Sequence, residues 1–163
     1  MDELALLRDQ VATERRHFAA VKEACRAALR AGGDREALAD TCRAAIAYLA
    51  YGARRMHAQD HAHVLLLRPR IASGDAANHR VLDDLASTLE RARAALLALE
   101  SAPDPVAGVT TYLDFVDEVL GRRRHGLEAL FQAHYSIDDW RATSFVDADS
   151  ILEERERYAA FRA

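Results

Sequence analysis

Hydrophobic residues recur every three or four positions through four long segments, and this periodicity limits the fold more than any other feature of the sequence. Such spacing places apolar side chains along one stripe of an α-helix, whereas a half-buried strand would show strict alternation. Leu4, Leu7, Val11, Phe18 and Val21 illustrate the pattern in the first segment. Alanine, leucine, arginine and glutamate dominate, and only 7 glycines and 3 prolines occur in 163 residues. The sequence therefore predicts an all-α fold.

Glycine and proline separate the periodic segments and set the predicted helix ends. The four long helices are expected over about residues 4–31, 35–68, 76–100 and 105–133. Gly32-Gly33 suits a helix C-terminus, Asp34 can cap the next helix, and Pro105 suits a first helical turn. Because short breaks favour antiparallel neighbours, we predict an up-down-up-down four-helix bundle.

The last part of the chain is predicted to form a short helical appendage. Ser136 to Asp139 has the form of a cap for a short turn that carries Trp140. Ser150 and Glu153 have the spacing of a capping box, which would open a final helix ending near Phe161. We therefore expect a single domain over residues 1–163, with a bundle core over about 3–135 and an appendage over 136–163.

Charge and segment composition exclude several classes of partner. The net charge is −4 and the pI is near 6, so no global attraction to nucleic acid or anionic membrane is expected. The acidic N-terminus lacks the order of a secretory signal, and no apolar run approaches the roughly 20 residues of a spanning helix. A cytoplasmic location is predicted. Cys25 and Cys42 are either a redox-sensitive pair or two small buried thiols, and we favour buried thiols.

Seven histidines are distributed so that every long predicted helix carries at least one. Histidine is the commonest transition-metal ligand, and a helical bundle brings distant residues into one interior, so a metal site is the leading hypothesis. Glu14 interrupts the first apolar stripe and lies three residues before His17. A buried carboxylate there requires a cation or an arginine. In the alternative, Glu14 is exposed and His17 bonds to a neighbour.

The second predicted helix carries the densest group of donors: His57, Asp60, His61 and His63. Spacings of three and four place pairs of these side chains on one helical face, within reach of a single ion. The three histidines cannot all face inwards, so at least one is expected in solvent. Asp60 lies closest to the apolar stripe.

The remaining helices supply fewer candidates, namely His79 on the third and His125 with Glu128 on the fourth. A lone histidine near a helix start, such as His79, is more often a structural hydrogen-bonding group than a ligand. Antiparallel pairing would bring donors from three helices to one end of the bundle. His17 fits this arrangement less well, since its level on the second helix is nearer Leu49 than His57.

These residues together resemble the hemerythrin-like family of cation-binding four-helix bundles. The similarity covers roughly residues 8–145. It is carried by Glu14-Arg15-Arg16-His17-Phe18, Met56-His57, Asn78-His79-Arg80-Val81-Leu82, and Phe131 followed by Ser136-Ile137-Asp138-Asp139-Trp140. The resemblance implies a non-heme, commonly di-iron, centre with His17, His57 and His79 as ligands and His125 with Glu128 as a fourth-helix pair. His61 stands where the family has a carboxylate, and Asp60 lies one position earlier.

The resemblance implies a protein that binds one or two non-heme iron ions and handles O2, NO or peroxide in sensing, storage or redox chemistry. Iron with nitrogen and carboxylate ligands and an open position suits small diatomic molecules. The metal ligands expected are His17, His57, Asp60, His61, His79, His125 and Glu128. No catalytic residue is assigned, so enzymatic turnover is left open, and a homodimer is a candidate assembly.

Two alternatives stay open. One is a metal-free helical interaction module in which the polar cluster holds buried salt bridges, such as Asp83 or Glu128 with Arg123 or Arg124. The other is a ferritin-like oxidase that uses Glu14 with His17 and Asp60 with His63, although the carboxylates expected on the other two helices are not evident.

Overall fold

The computed structural model describes residues 2–119 and 126–162, and every regular element in these ranges is helical. The α-helices are α1 Glu3–Ala31, α2 Arg35–Leu67, α3 Ala76–Glu100, α4 Pro105–Val119, α5 Leu127–His134, α6 Ile137–Ser144 and α7 Ala148–Arg162. A 3-10 turn at Arg68–Arg70 extends α2. The predicted all-α class is confirmed, and so are the bounds of the first three helices to within about a residue.

Local chemistry accounts for these helix ends. The side chains of Asp2, Asp34 and Asp75 accept hydrogen bonds from backbone N–H groups in the first turns of α1, α2 and α3. At the end of α1, Gly32 has φ 64° and its N–H donates to the Ala28 carbonyl. The predicted break between the first two helices therefore arises from a glycine C-terminus followed directly by an aspartate cap.

The prediction of one continuous helix over residues 105–133 is wrong. The chain has α4 up to Val119 and a separate α5 from Leu127, and Gly126 before α5 has φ 94°. That conformation lies outside the helical region, and glycine adopts it readily because it has no Cβ. A Cβ at Gly126 would lie 3.1 Å from Cγ2 of Val81, so the start of α5 also packs closely against α3.

The final helix begins earlier than the sequence suggested. Its capping pair is Asp147 with Ser150, which exchange backbone-to-side-chain hydrogen bonds of 2.7 and 3.0 Å, so Ser150 lies within the first turn of α7. The predicted box of Ser150 with Glu153 is therefore wrong by three residues. Around Trp140 the predicted turn is a two-turn helix, α6, opened by a capping box of Ser136 and Asp139.

Two groups of buried hydrophobic residues hold the helices together. One joins α1, α2, α3 and α4 through Val21, Leu49, Leu99 and Val109 among others. The other joins α2, α3 and α5 through Leu67, Leu82, Leu85 and Leu127 among others. Both α6 and α7 pack across α1 and α2. In the described ranges, no helix combines the length and apolar character that a bilayer span requires.

Cys25 and Cys42 are buried in the first of these groups and neither forms a disulfide. Burial raises the pKa of the Cys25 thiol to about 11 and also raises the pKa of Cys42. The expectation that both thiols are buried is confirmed.

Candidate functional site

Glu14 is buried on α1 and pairs with Arg55 of α2. The Arg55 Nε and Nη2 atoms donate to the two carboxylate oxygens of Glu14 at 3.0 and 2.9 Å. Nη2 also donates to the Phe145 carbonyl oxygen at 3.0 Å. Burial alone would lower the pKa of Arg55, but the hydrogen bonds and charge of Glu14 raise it above its usual value. The predicted need of Glu14 for a cation is thus met by an arginine.

His17 lies one turn further along α1 and faces α7. Its Nδ1 atom is 2.9 Å from Oε1 of Glu154, and its ring stacks on Tyr158 with centroids 3.8 Å apart. The hydroxyl of Tyr48 donates to the same Glu154 oxygen at 2.5 Å. Burial, followed by the hydrogen bond and charge of Glu154, raises the pKa of Tyr48 far above its usual value. His17 is therefore held by the Glu154 carboxylate and the Tyr158 ring, and it shares that carboxylate with Tyr48.

Glu14 pairs with Arg55, and Phe18 packs against Gly52. In this antiparallel register His17 lies opposite about Gly52, which is nearer Leu49 than His57, as expected. His57 is therefore about one and a half helical turns from the level of His17. A centre that used both histidines would require α1 to slide along α2.

The donors on α2 have different environments. His57, Asp60 and His63 are buried, whereas His61 is exposed, as the helical geometry requires of at least one histidine. His57, Asp60 and His63 each interact with other groups of the protein. The Nδ1 atom of His63 lies 2.6 Å from the Tyr135 hydroxyl, and its ring lies against Phe131. Burial raises the pKa of Tyr135 to about 12.

A cavity of about 210 Å³ opens beside this part of α2, between α1, α5 and α6. We name it the polar cavity. Its lining residues are Arg8, Val11, Ala12, Arg15, Gln59, Asp60, His63, Leu127, Glu128, Phe131, Trp140 and Ser144. The Gln59 amide donates to the Ser144 carbonyl oxygen at 2.9 Å and so ties α2 to the end of α6. Asp60 and Glu128, two of the predicted metal ligands, both line this cavity.

The other predicted ligands are placed elsewhere. His79 Nε2 lies 3.2 Å from the Ala72 carbonyl oxygen in the loop before α3, which is the structural role expected of a histidine near a helix start. The Glu128 carboxylate accepts from Nη2 of Arg8 at 3.0 Å, with 61% of its side chain exposed. His125 and the predicted salt-bridge partners Arg123 and Arg124 lie outside the described residues. Asp83 pairs with Arg68 at 2.8 Å at the surface.

Within residues 2–119 and 126–162, no group of three or more histidine, cysteine, aspartate or glutamate side chains is arranged to hold one metal ion. His17 and Glu14 are paired to other side chains, and His61, His79 and Glu128 are dispersed. In this part of the chain the donors do not fit an iron centre.

Sequence reasoning missed three residues of the interior: Tyr48, Arg55 and Glu154. A signal for Glu154 was present, because it interrupts the apolar stripe Ile151, Tyr158 and Phe161 of α7 as Glu14 interrupts that of α1. Two carboxylates on apolar stripes could have been recognised as two sites that require buried partners.

Comparisons with protein-family models, with curated proteins and with solved structures found no match.

Proposed function

We propose that this chain is a metal-free helical bundle that binds a small molecule in the polar cavity. In this proposal α1, α2, α3 and the α4–α5 segment form the up-down-up-down bundle, and residues 136–163 form an appendage across α1 and α2. Short connections support the arrangement, and so do the contacts of α1 with α2, α2 with α3, α3 with α4 and α1 with α4. The cytoplasmic location and the homodimer stay predictions.

One observation carries the metal-free interpretation: Glu14 and His17, the candidate metal donors on α1, are already bound to other protein groups. Glu14 forms a bidentate pair with Arg55, and His17 bonds to Glu154. A metal ion at either residue would have to compete with these buried, charge-assisted bonds, which are among the stronger hydrogen bonds in proteins. Glu14 and His17 therefore already have protein partners.

The polar cavity supports the binding part of the proposal. Ligand sites are concave and mostly apolar, with a few convergent polar groups. Val11, Leu127, Phe131 and Trp140 supply the apolar wall, while Arg15 and Ser144 are among the polar groups. A volume of about 210 Å³ suits a molecule smaller than a typical drug.

The second candidate is the iron protein that the hemerythrin-like resemblance implies, handling O2, NO or peroxide. The observation in its favour is that His57 and Asp60 are both buried and three residues apart on one face of α2. With His125 they would supply nitrogen and oxygen donors suited to one or two iron ions.

Metal analysis distinguishes the two candidates. Protein expressed in iron-supplemented medium should contain almost no iron, and a chelator should leave its melting temperature unchanged, since a metal bound to the native state would stabilise it. About one to two iron per chain, lost in His57→Ala but kept in the exposed-site control His61→Ala, would establish the iron protein instead.

Trp140 reports on the cavity because it is the chain's single tryptophan and lies in the wall. Quenching of its fluorescence by the neutral molecule acrylamide should fall when Ala12→Phe fills the cavity. The matched control Ala19→Phe changes an exposed position on the same helix and should leave quenching unchanged. Equal quenching in both variants would mean that small molecules do not reach Trp140 through the cavity.

A further inference from the structure

Arg15 of α1 is half-buried. Its Nε atom is fully buried and has no hydrogen-bond partner among the described residues. Arg55, by contrast, has the Glu14 carboxylate and the Phe145 carbonyl as acceptors. A half-buried cation without an acceptor is unfavourable, since it loses hydration without gaining a partner. Arg15 lines the polar cavity, so a bound anion could supply that partner.

A second unsatisfied group faces the same space from another helix. Ser144 of α6 is 2% exposed, its Oγ atom has no hydrogen-bond partner among the described residues, and it lines the polar cavity. A hydroxyl and a guanidinium both donate hydrogen bonds. Two buried donor atoms, Arg15 Nε on α1 and Ser144 Oγ on α6, therefore belong to the wall of one cavity, and neither has a hydrogen-bond partner among the described residues.

The carboxylates of the cavity do not take this role. Glu128 is bonded to Arg8, and Asp60 has an interaction of its own. Arg8 is also occupied, since its guanidinium carbon lies 5.1 Å from the centre of the Trp140 ring. Among the described residues of the cavity wall, Arg15 is therefore the cation with a buried Nε atom that has no hydrogen-bond acceptor.

The rest of the wall sets the shape of the ligand. Phe131 and Trp140 have ring centres 5.1 Å apart, and Val11, Ala12 and Leu127 complete an apolar surface. Flat apolar groups pack favourably against aromatic rings. A simple inorganic anion would leave this surface without contacts.

We propose that the polar cavity binds a small monocarboxylate with a flat apolar body, with the carboxylate on Arg15 and Ser144 and the body against Phe131 and Trp140. This inference rests on the proposed small-molecule function and names the ligand class. Guanidinium and carboxylate groups form charge-assisted, often bidentate hydrogen bonds, which makes a carboxylate the natural partner for Arg15.

Benzoate is the probe, and its neutral isostere benzamide is the comparison. Calorimetry and Trp140 fluorescence should detect benzoate binding that is at least about tenfold tighter than that of benzamide or inorganic phosphate, as expected for loss of one charge-assisted interaction. Arg15→Gln should weaken benzoate binding by about tenfold or more. Arg16→Gln is the matched control: it removes the same charge one residue away, from an exposed side chain paired with Asp9 at 3.6 Å.

The outcomes separate this inference from the proposed function. If benzamide binds as well as benzoate, or if Arg15→Gln and Arg16→Gln weaken benzoate equally, the carboxylate assignment is overturned while the cavity remains a binding site. Benzoate binding that persists in Ala12→Phe places the site elsewhere and overturns the inference. Absence of benzoate binding to the folded protein also overturns it, and acrylamide access then reports separately on the cavity. Circular dichroism verifies that each variant is folded, and Ser144→Ala provides a second, milder test with the same expected direction.

Discussion

Replacement of Arg55 by methionine tests the central ion pair, because methionine keeps much of the apolar stem but removes the guanidinium. The change eliminates two hydrogen bonds to Glu14 and one to the Phe145 carbonyl. The Glu14 side chain is only 8% exposed, so its charge would remain buried without a partner. Breaking such a pair costs about 3–5 kcal/mol. For a domain with a total stability of about 5–15 kcal/mol, this is a large fraction.

Urea unfolding followed by far-ultraviolet circular dichroism measures the loss. Arg54→Met is the matched control, because Arg54 is the adjacent residue and its side chain is 59% exposed in a surface pair with Glu100. We expect Arg54→Met to cost less than about 1 kcal/mol. The double variant Glu14→Gln/Arg55→Met should recover part of the loss, since it leaves no buried unpaired charge. If Arg55→Met costs no more than Arg54→Met, the buried pair does not stabilise the fold as argued.

Three further predictions concern other parts of the interior. Glu154→Gln should lower the free energy of unfolding by about 2 kcal/mol, because its hydrogen bonds to His17 and Tyr48 become weaker. The control Glu153→Gln changes an exposed side chain and should have little effect, and equal losses of stability in urea unfolding would contradict the prediction. Gly126→Ala should lower the free energy of unfolding by at least about 1 kcal/mol, because φ is 94° at this position and the new Cβ would lie 3.1 Å from Cγ2 of Val81. An unchanged melting temperature would show that alanine is not strained there. Cys25 should react with Ellman's reagent at pH 8 only after unfolding, and rapid labelling of the native protein would contradict its burial. The free energy of unfolding should also fall as pH rises from 9 towards about 11, because the Cys25 thiol loses its proton at lower pH in the unfolded state than in the folded state.

Periodicity and caps were enough to locate α1, α2 and α3, because these depend on residues close together in sequence. Gly126 was different: the apolar spacing continues on both sides of it, and spacing does not reveal that φ is positive there. The same distinction holds for the interior. The position of Glu14 on an apolar stripe indicated that it needs a partner, but the partner lies 41 residues away in sequence. Which arginine it meets depends on the register of α1 against α2.

The histidines show which features follow from the position of a residue along its own helix. Helical geometry required an exposed histidine on α2, and His61 has that place. Counting along antiparallel helices also predicted that the level of His17 on α2 is nearer Leu49 than His57. Its acceptor did not, since Glu154 belongs to α7, and the packing of α7 across α1 and α2 is a tertiary feature without a local sequence signal.

The ion pair and the polar cavity are linked through the end of α6. Phe145 has φ 52°, a left-handed conformation that is unfavourable for a residue with a Cβ, and its carbonyl accepts hydrogen bonds from Arg55 and Ser150. Ser144 immediately precedes it and is held by Gln59 through its own carbonyl. The bonds that compensate for the strained residue therefore also fix the position from which Ser144 faces the cavity. Because Arg55 joins Glu14 to this turn, the buried pair positions the wall of the cavity as well as the register of α1 and α2.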